Sequence, residues 1–238
     1  MNSSAPLIDS ASILIIRDGE EGLEVLMVKR HEDIAFAGGA YVFPGGKADP
    51  EDYQLLSHIK SFPPGYSELT HTAFREVFEE TGLIIGDHTN AGDYRDGLLN
   101  GSVTFSEIIK KADIHFYMDE IVPFARWVMP RIYPKRFDTR FFLARAPMGQ
   151  VATPDGTEAV ELKWVSPLEF IKKKRELMMF PTIMNLKLLA EAKTVDEAFR
   201  KAAARKIITV EPKIIDGKRV IDPAAGYGEV DQDKIHLG

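Results

Sequence analysis

The spacing of apolar and polar positions along the chain predicts a mixture of strands and helices. Two β-branched-rich apolar runs, 11–17 and 23–30, flank Asp18-Gly19-Glu20-Glu21-Gly22 and read as a hairpin. A glycine-containing connection, 31–40, leads to a short strand at 41–43 and into the turn Phe43-Pro44-Gly45-Gly46. Residues 49–60 suit a short helix, which Ser61-Phe62-Pro63-Pro64-Gly65-Tyr66 breaks before a longer helix begins near Ser67. In that helix Ala73, Phe74, Val77 and Phe78 form an apolar stripe, Gly82 lies just past the end, and Leu83-Ile84-Ile85 continues as a strand.

Further on, 87–101 is polar and loop-like, and 102–113 reads as a helix with Phe105, Ile108 and Ile109 on one face. The run 118–129 reads as a strand pair or one bent strand ending at Pro130, followed by strands at 140–146 and 159–165. In the last of these Val160, Leu162 and Trp164 alternate with Glu161 and Lys163. Helices are expected at 167–176, 181–192 and 194–204, then a terminal hairpin from 207–210 and 219–221 flanking Asp216-Gly217. The stretch 223–238 is expected to be poorly ordered unless it docks on a neighbour.

Composition narrows the class. A chain of 238 residues, 45% hydrophobic, can bury a full core. It has no cysteine, which excludes disulfides and thiolate metal sites and is compatible with a reducing cytosol. The formal charge of −6 argues against non-specific nucleic-acid binding, which needs a basic surface. No apolar run reaches the length of a membrane span, and Met1-Asn2-Ser3-Ser4 does not begin a secretory signal, so a soluble cytoplasmic protein without a membrane partner is expected. The final residues, Ile235-His236-Leu237-Gly238, are not a peroxisomal targeting tripeptide.

The chemistry concentrates in Arg75-Glu76-Val77-Phe78-Glu79-Glu80-Thr81-Gly82-Leu83. Helical geometry puts Glu76, Glu79 and Glu80 within an arc of roughly 100°. Glu79 and Glu80 stand in the last turn, where the helix dipole disfavours each anion by about 0.3–1 kcal/mol. Like charges three and four residues apart add to that cost. A solvated acidic face is one reading; a hard divalent cation shared with a phosphate is the other, because Arg75 alone cannot balance three carboxylates. His58 and His71 belong to no ligand-spaced cluster. Arg131-Ile132-Tyr133-Pro134-Lys135-Arg136-Phe137-Asp138-Thr139-Arg140 holds four cations against one anion, which suits either a diphosphate beside a flat base or a basic loop.

Together with Gly45-Gly46, residues 75–83 resemble the Nudix hydrolase superfamily, whose signature is G-x5-E-x7-R-E-U-x-E-E-x-G-U, U being a bulky aliphatic residue. Every specified position from Arg75 to Leu83 matches. The left half is split: Arg75 lies 29 residues after Gly46 instead of 14, which implies an insertion of 15. Counting forward places the first acidic position at Asp52, and counting back places it at Ser67, one short of Glu68. Such an insertion resembles the branch of peroxisomal coenzyme A diphosphatases and their bacterial relatives, and the resemblance extends through 136–142 and 164–167. The motif that precedes the box in coenzyme A-cleaving members, L-L-T-x-R-[SA]-x3-R-x3-G-x3-F-P-G-G, is matched at Leu26, Arg30, Gly39 and 43–46, but not at Met27, Val28, His31 or Ala35.

The resemblance implies an α/β Nudix fold, a mixed β-sheet sandwiched between helices, with a helical C-terminal extension. It implies a Nudix domain over 1–177 with an insertion at about 50–67, on which 178–238 packs. It also implies a diphosphatase dependent on Mg2+ or Mn2+, with Glu76, Glu79, Glu80 and the Gly45 carbonyl as metal ligands and Arg75 in support. One of the glutamates, or a later carboxylate, Glu161 or Glu158, would serve as base. Arg30, Tyr133, Arg136 and Arg140 are the expected substrate contacts. Coenzyme A or an acyl-coenzyme A leads as substrate over NADH, ADP-ribose and nucleotide sugars, and a homodimer is compatible. A non-catalytic nucleotide sensor is the competing class. A prenyl diphosphate isomerase of this fold would ordinarily need a cysteine.

Overall fold

The computed structural model describes residues 6–53, 62–63 and 65–232. The helix expected at 49–60 lies, past Tyr53, outside the described residues, as does His58.

β1 (Leu7–Gly19) and β2 (Gly22–Arg30) pair antiparallel from Ile16↔Val25 to Gly19↔Gly22, closing around Glu20-Glu21. Away from that turn the two strands diverge. β2 there pairs with β3 (Tyr41–Val42), and β1 pairs with β4 (Gly45–Lys47), from Ser12↔Gly45 to Ser10↔Lys47. Residues 41–47 thus fill the gap between two splayed strands. The glycine pair, which reads as a turn in the sequence, is strand backbone. Its entry is pinned at the Pro44 carbonyl, which accepts from Ile13 N–H and Ser12 Oγ–H, each at 2.9 Å.

The helix α1 (Thr70–Thr81) follows a 3-10 turn at Ser67–Leu69 and ends at Gly82, whose left-handed φ of 71° only glycine adopts without strain. Leu83-Ile84-Ile85 is buried but forms no strand. The Ile84 N–H and C=O are both bonded to the Gln150 side-chain amide at 2.8 Å, so the backbone is satisfied without a neighbouring strand. Pairing begins only at β5 (Gly86–Asp87), against β6 (His115–Phe116). The segment expected to be a loop carries a 3-10 turn, Ala91–Tyr94, and α2 (Arg95–Leu99). Ala91 is the one residue of these two turns that is buried, so no apolar period marks them. In α3 (Phe105–Lys111) a Thr104/Glu107 capping box sets the start.

β7 (Ile121–Val128) is a single strand with an irregularity between Pro123 and Ala125. β8 (Arg136–Arg145) starts earlier than its apolar run suggests and lies parallel to β1 from Leu7↔Arg136 to Ile16↔Arg145. β9 (Ala159–Val165) takes the other edge of β2. One face of this mixed sheet carries α1 and α3, with Ala73, Phe74, Val77 and Phe78 packed on Ile13, Ile15, Leu26 and Phe142. The opposite face carries α4 (Pro167–Lys174), α5 (Phe180–Leu189) and α6 (Val195–Ala204) over Leu14, Ile16 and Met27. This is the expected α/β sandwich.

The C-terminal pairing differs from expectation. β10 (Thr209–Val210) adds parallel to β7 at the sheet edge. The hairpin is β11 (Lys213–Ile215) with β12 (Lys218–Val220). Asp216 and Gly217 have φ of 50° and 73°, a two-residue turn that forces Ile215 and Lys218 to pair directly and leaves 207–210 free to join the sheet. Residues after it do dock: Tyr227 is buried, its hydroxyl donating to Asn185 Oδ1 at 2.7 Å and accepting from Trp127 Nε1 at 2.8 Å. Among the described residues no helix is long and apolar enough to cross a membrane.

Candidate active site

Burial removes the solvated-face reading of the acidic helix. In α1 every residue is buried except Glu76 and Glu79, and those two are half-buried. Glu80, 3% exposed, accepts the Gly45 N–H at 3.0 Å and sits 3.6 Å from Arg30 Nη1. The Glu76 carboxylate lies against Gly46, where an added Cβ would come within 2.4 Å of Oε2. Strand β4 and helix α1 therefore bring the glycine pair and the glutamates together.

Arg75 is the hub. Its Nε and Nη2 donate to the two oxygens of Asp52 at 3.0 Å, Nη2 also to the Lys47 carbonyl at 2.9 Å, and Nη1 reaches Glu76 Oε1 at 2.9 Å and Glu79 Oε2 at 3.0 Å. Asp52 further accepts from Thr72 Oγ–H at 2.8 Å and from Asp49 N–H at 2.9 Å. Of the two candidates for the first acidic position, Asp52 is the residue that contacts Arg75.

A Nudix domain profile matches residues 6–184. The chain belongs to the Nudix hydrolase family. It is 24% identical over 208 residues to putative nudix hydrolase 7 of Caenorhabditis elegans, covering 83% of this chain and 66% of that protein. It is 22% identical over 205 residues to the acyl-coenzyme A diphosphatase NUDT19 of Xenopus laevis, covering 63% of this chain and 54% of that protein. The chain thus spans under two thirds of the length of either curated relative. A NUDIX hydrolase from Alicyclobacillus acidocaldarius superimposes with a TM-score of 0.74 at 27% identity, over 83% of this chain and 97% of that one.

Burial is the main force on the Nudix glutamates, and it pushes all three carboxyl groups up. Glu76 is raised to about 8 by desolvation, against the pull of Arg75 and with added repulsion from Glu79. Glu79 is raised by desolvation despite Arg75. Glu80 is raised well above the usual carboxylate range by desolvation and by Glu76, with Gly45 N–H and Arg30 opposing. For Arg75, burial opposes the charge, but Asp52, Glu76 and Glu79 more than offset it. Negative charge at this site exceeds what its protein partners balance.

That imbalance, and a donor set of carboxylate and carbonyl oxygens without sulfur, fits a hard dication such as Mg2+ or Mn2+. Among the described residues no three such side chains converge to enclose an ion as they stand. Glu76 and Glu79 are turned to Arg75, and Glu80 to Gly45 and Arg30.

The other sequence candidates divide. Arg30 joins the Nudix glutamates: besides Glu80 it lies 3.9 Å from Glu158, and among the described residues its buried Nε has no hydrogen-bond partner. Glu161 does not join them. It accepts from Tyr41 O–H and pairs with Lys163 at 2.8 Å, and Tyr41 packs edge-on against Phe170 on the sheet face opposite α1. Glu158 is the later carboxylate that the structure brings near. Arg140 is buried in ion pairs with Asp9 at 2.7 Å and Asp138 at 3.1 Å, and Arg136 pairs with Glu211 at 3.1 Å and donates from Nε to the Met129 carbonyl at 2.9 Å. Tyr133 stands in the turn before β8, its N–H on the Pro130 carbonyl. These basic side chains are already committed within the fold. A concavity of about 850 Å3 lies at the far turn of the β1–β2 hairpin, lined by Arg17, Glu24, Trp164 and Phe170, and no Nudix glutamate borders it.

The two glycines differ in what they exclude. A Cβ at Gly45, whose φ is 153°, would fall 2.3 Å from the Ala11 carbonyl, whereas at Gly46 it meets the movable Glu76 carboxylate. Gly45→Ala is therefore expected to lower stability by about 1–3 kcal/mol, more than Gly46→Ala. Urea unfolding midpoints of the two variants check the order.

Proposed function

We propose that this chain hydrolyses a diphosphate linkage in a nucleoside diphosphate derivative with Mg2+ or Mn2+. The observation that carries the reading is the group of under-balanced, buried and half-buried carboxylates on α1, set against Gly45-Gly46 and next to Arg30. Glu76, Glu79, Glu80 and the Gly45 carbonyl would hold the ion, which when bound neutralises phosphate charge and acidifies water. Arg30, a partly buried cation with only distant partners, supplies hydrogen bonds to phosphate oxygens. Arg75, fixed by Asp52, orients Glu76 and Glu79. Glu80, or Glu158 across Arg30, takes the proton of the attacking water.

Coenzyme A or an acyl-coenzyme A is the substrate we favour, supported by the split box and by the likeness to the Xenopus laevis acyl-coenzyme A diphosphatase. Ala35, in place of the motif's second arginine, weighs against it. A panel of coenzyme A, acetyl-coenzyme A, NADH, ADP-ribose and UDP-glucose, each with Mg2+ and Mn2+, tests both levels. Cleavage of coenzyme A to two phosphate-bearing products supports the full reading. Cleavage of another member moves the substrate and keeps the chemistry; binding without turnover of any member replaces the enzyme with a nucleotide sensor.

The raised carboxyl groups fix the sign of a pH effect. A carboxyl that holds its proton more tightly in the folded chain stabilises the fold fully below its ordinary pKa, and that contribution is lost as pH rises through about 8 for Glu76. In chelator, the Tm of the wild-type chain relative to Glu76→Gln is therefore expected to fall from pH 5 to pH 8. The Tm gained on adding Mn2+ should grow over the same interval. Calorimetry at both pH values checks this; a Mn2+ gain independent of pH contradicts it.

A further inference from the structure

α2 carries no residue of the Nudix signature, yet its first side chain reaches the last turn of α1. Arg95 Nε and Nη2 both donate to the Glu79 carbonyl, at 3.1 and 2.8 Å, while Nη1 donates to Thr153 Oγ1 at 2.9 Å. Close approach is possible because Gly82 has no side chain: a Cβ there would stand 3.1 Å from Nη1. The same turn is braced by Thr153 N–H on the Thr81 carbonyl at 2.9 Å. The negative end of the helix dipole thus receives a cation through a forked contact, at the residue whose side chain and whose neighbour Glu80 form the acidic face.

We propose that Arg95 is a positioning residue for the Nudix site. It fixes the backbone from which Glu79 and Glu80 project and counters the negative pole beneath them, so that both carboxylates are presented together to the cation. Arg75 and Arg95 grip Glu79 from opposite ends, one at the carboxylate and one at the carbonyl. This rests on the metal-dependent reading above. A plain stabilising cap is the alternative, and it predicts lost stability with unchanged metal binding.

The test is a calorimetric titration of the full chain with Mn2+ alone, alongside steady-state kinetics on whichever panel member is cleaved. Arg95→Gln is expected to weaken Mn2+ binding about tenfold and to raise the metal concentration for half-maximal rate in step, leaving KM at saturating metal unchanged. Arg95→Lys, which keeps the charge but not the fork, and Thr153→Val, which frees Nη1, should each lose less. Mn2+ binding within twofold of wild type in Arg95→Gln overturns the proposal, whatever its Tm. If that variant does not fold, wild-type Mn2+ binding in both Arg95→Lys and Thr153→Val overturns it instead. A wild-type chain that binds no Mn2+ sinks the metal-dependent reading itself, and this proposal with it.

Discussion

Glu80→Gln is expected to lower metal-dependent turnover by about 10²–10⁴-fold while leaving the chain folded. Glutamine keeps the shape and keeps an oxygen for the Gly45 N–H, so the contact between α1 and β4 survives. What is lost is the charge. That charge is costly to the metal-free fold, since Glu80 is buried, is repelled by Glu76 and has only a distant guanidinium beside it. The variant should therefore unfold at the same or a higher temperature than wild type in chelator, yet gain less from Mn2+. Glu79→Gln should follow the same pattern. Near-normal turnover in both variants would remove the glutamates from the chemistry.

Arg75→Met is expected to destabilise the chain by about 3–5 kcal/mol, the usual result of stranding a buried charge. Arg75 and Asp52 side chains are 8% and 3% exposed, and two guanidinium nitrogens bind the Asp52 carboxylate. Without Arg75, Asp52 keeps Thr72 Oγ–H and Asp49 N–H but no cation at contact distance among the described residues, and Glu76 and Glu79 lose their shared partner. Pairing the change with Asp52→Asn should recover part of the loss, because the stranded charge goes with it. Urea unfolding of the two single variants and the double variant measures this; an Arg75→Met loss below about 1 kcal/mol would contradict a hub role.

The Nudix helix was legible because its signals are local. Four apolar residues at helical spacing, a terminating glycine and a tight run of acids all lie within ten or so residues of one another. What escaped depends on distant partners. Gly45 and Gly46 become strand backbone only because β1 and β2 splay, and the divergence is not written in either strand. Leu83-Ile84-Ile85 looks like a strand, but a side chain 66 residues away satisfies its backbone. The contrast between Glu158 and Glu161 depends on partners far away in the chain, Arg30 for the first and Tyr41 for the second. Asp52 meets Arg75 across 23 positions of the sequence, a contact that no local spacing signals. Arg95 lay in a stretch whose polarity reads as loop.

The Asp52–Arg75 clasp also bears on how the family signature can be interrupted at all. The chain departs just after one half of the clasp and is back, by Tyr66, within a few residues of the helix that carries the other half. Both ends of the interruption are anchored in the fold, Asp52 on Arg75 and Thr72, and Tyr66 on Phe142, so the spacing of the Nudix helix from the glycine pair is set by those contacts and not by how many residues lie between them.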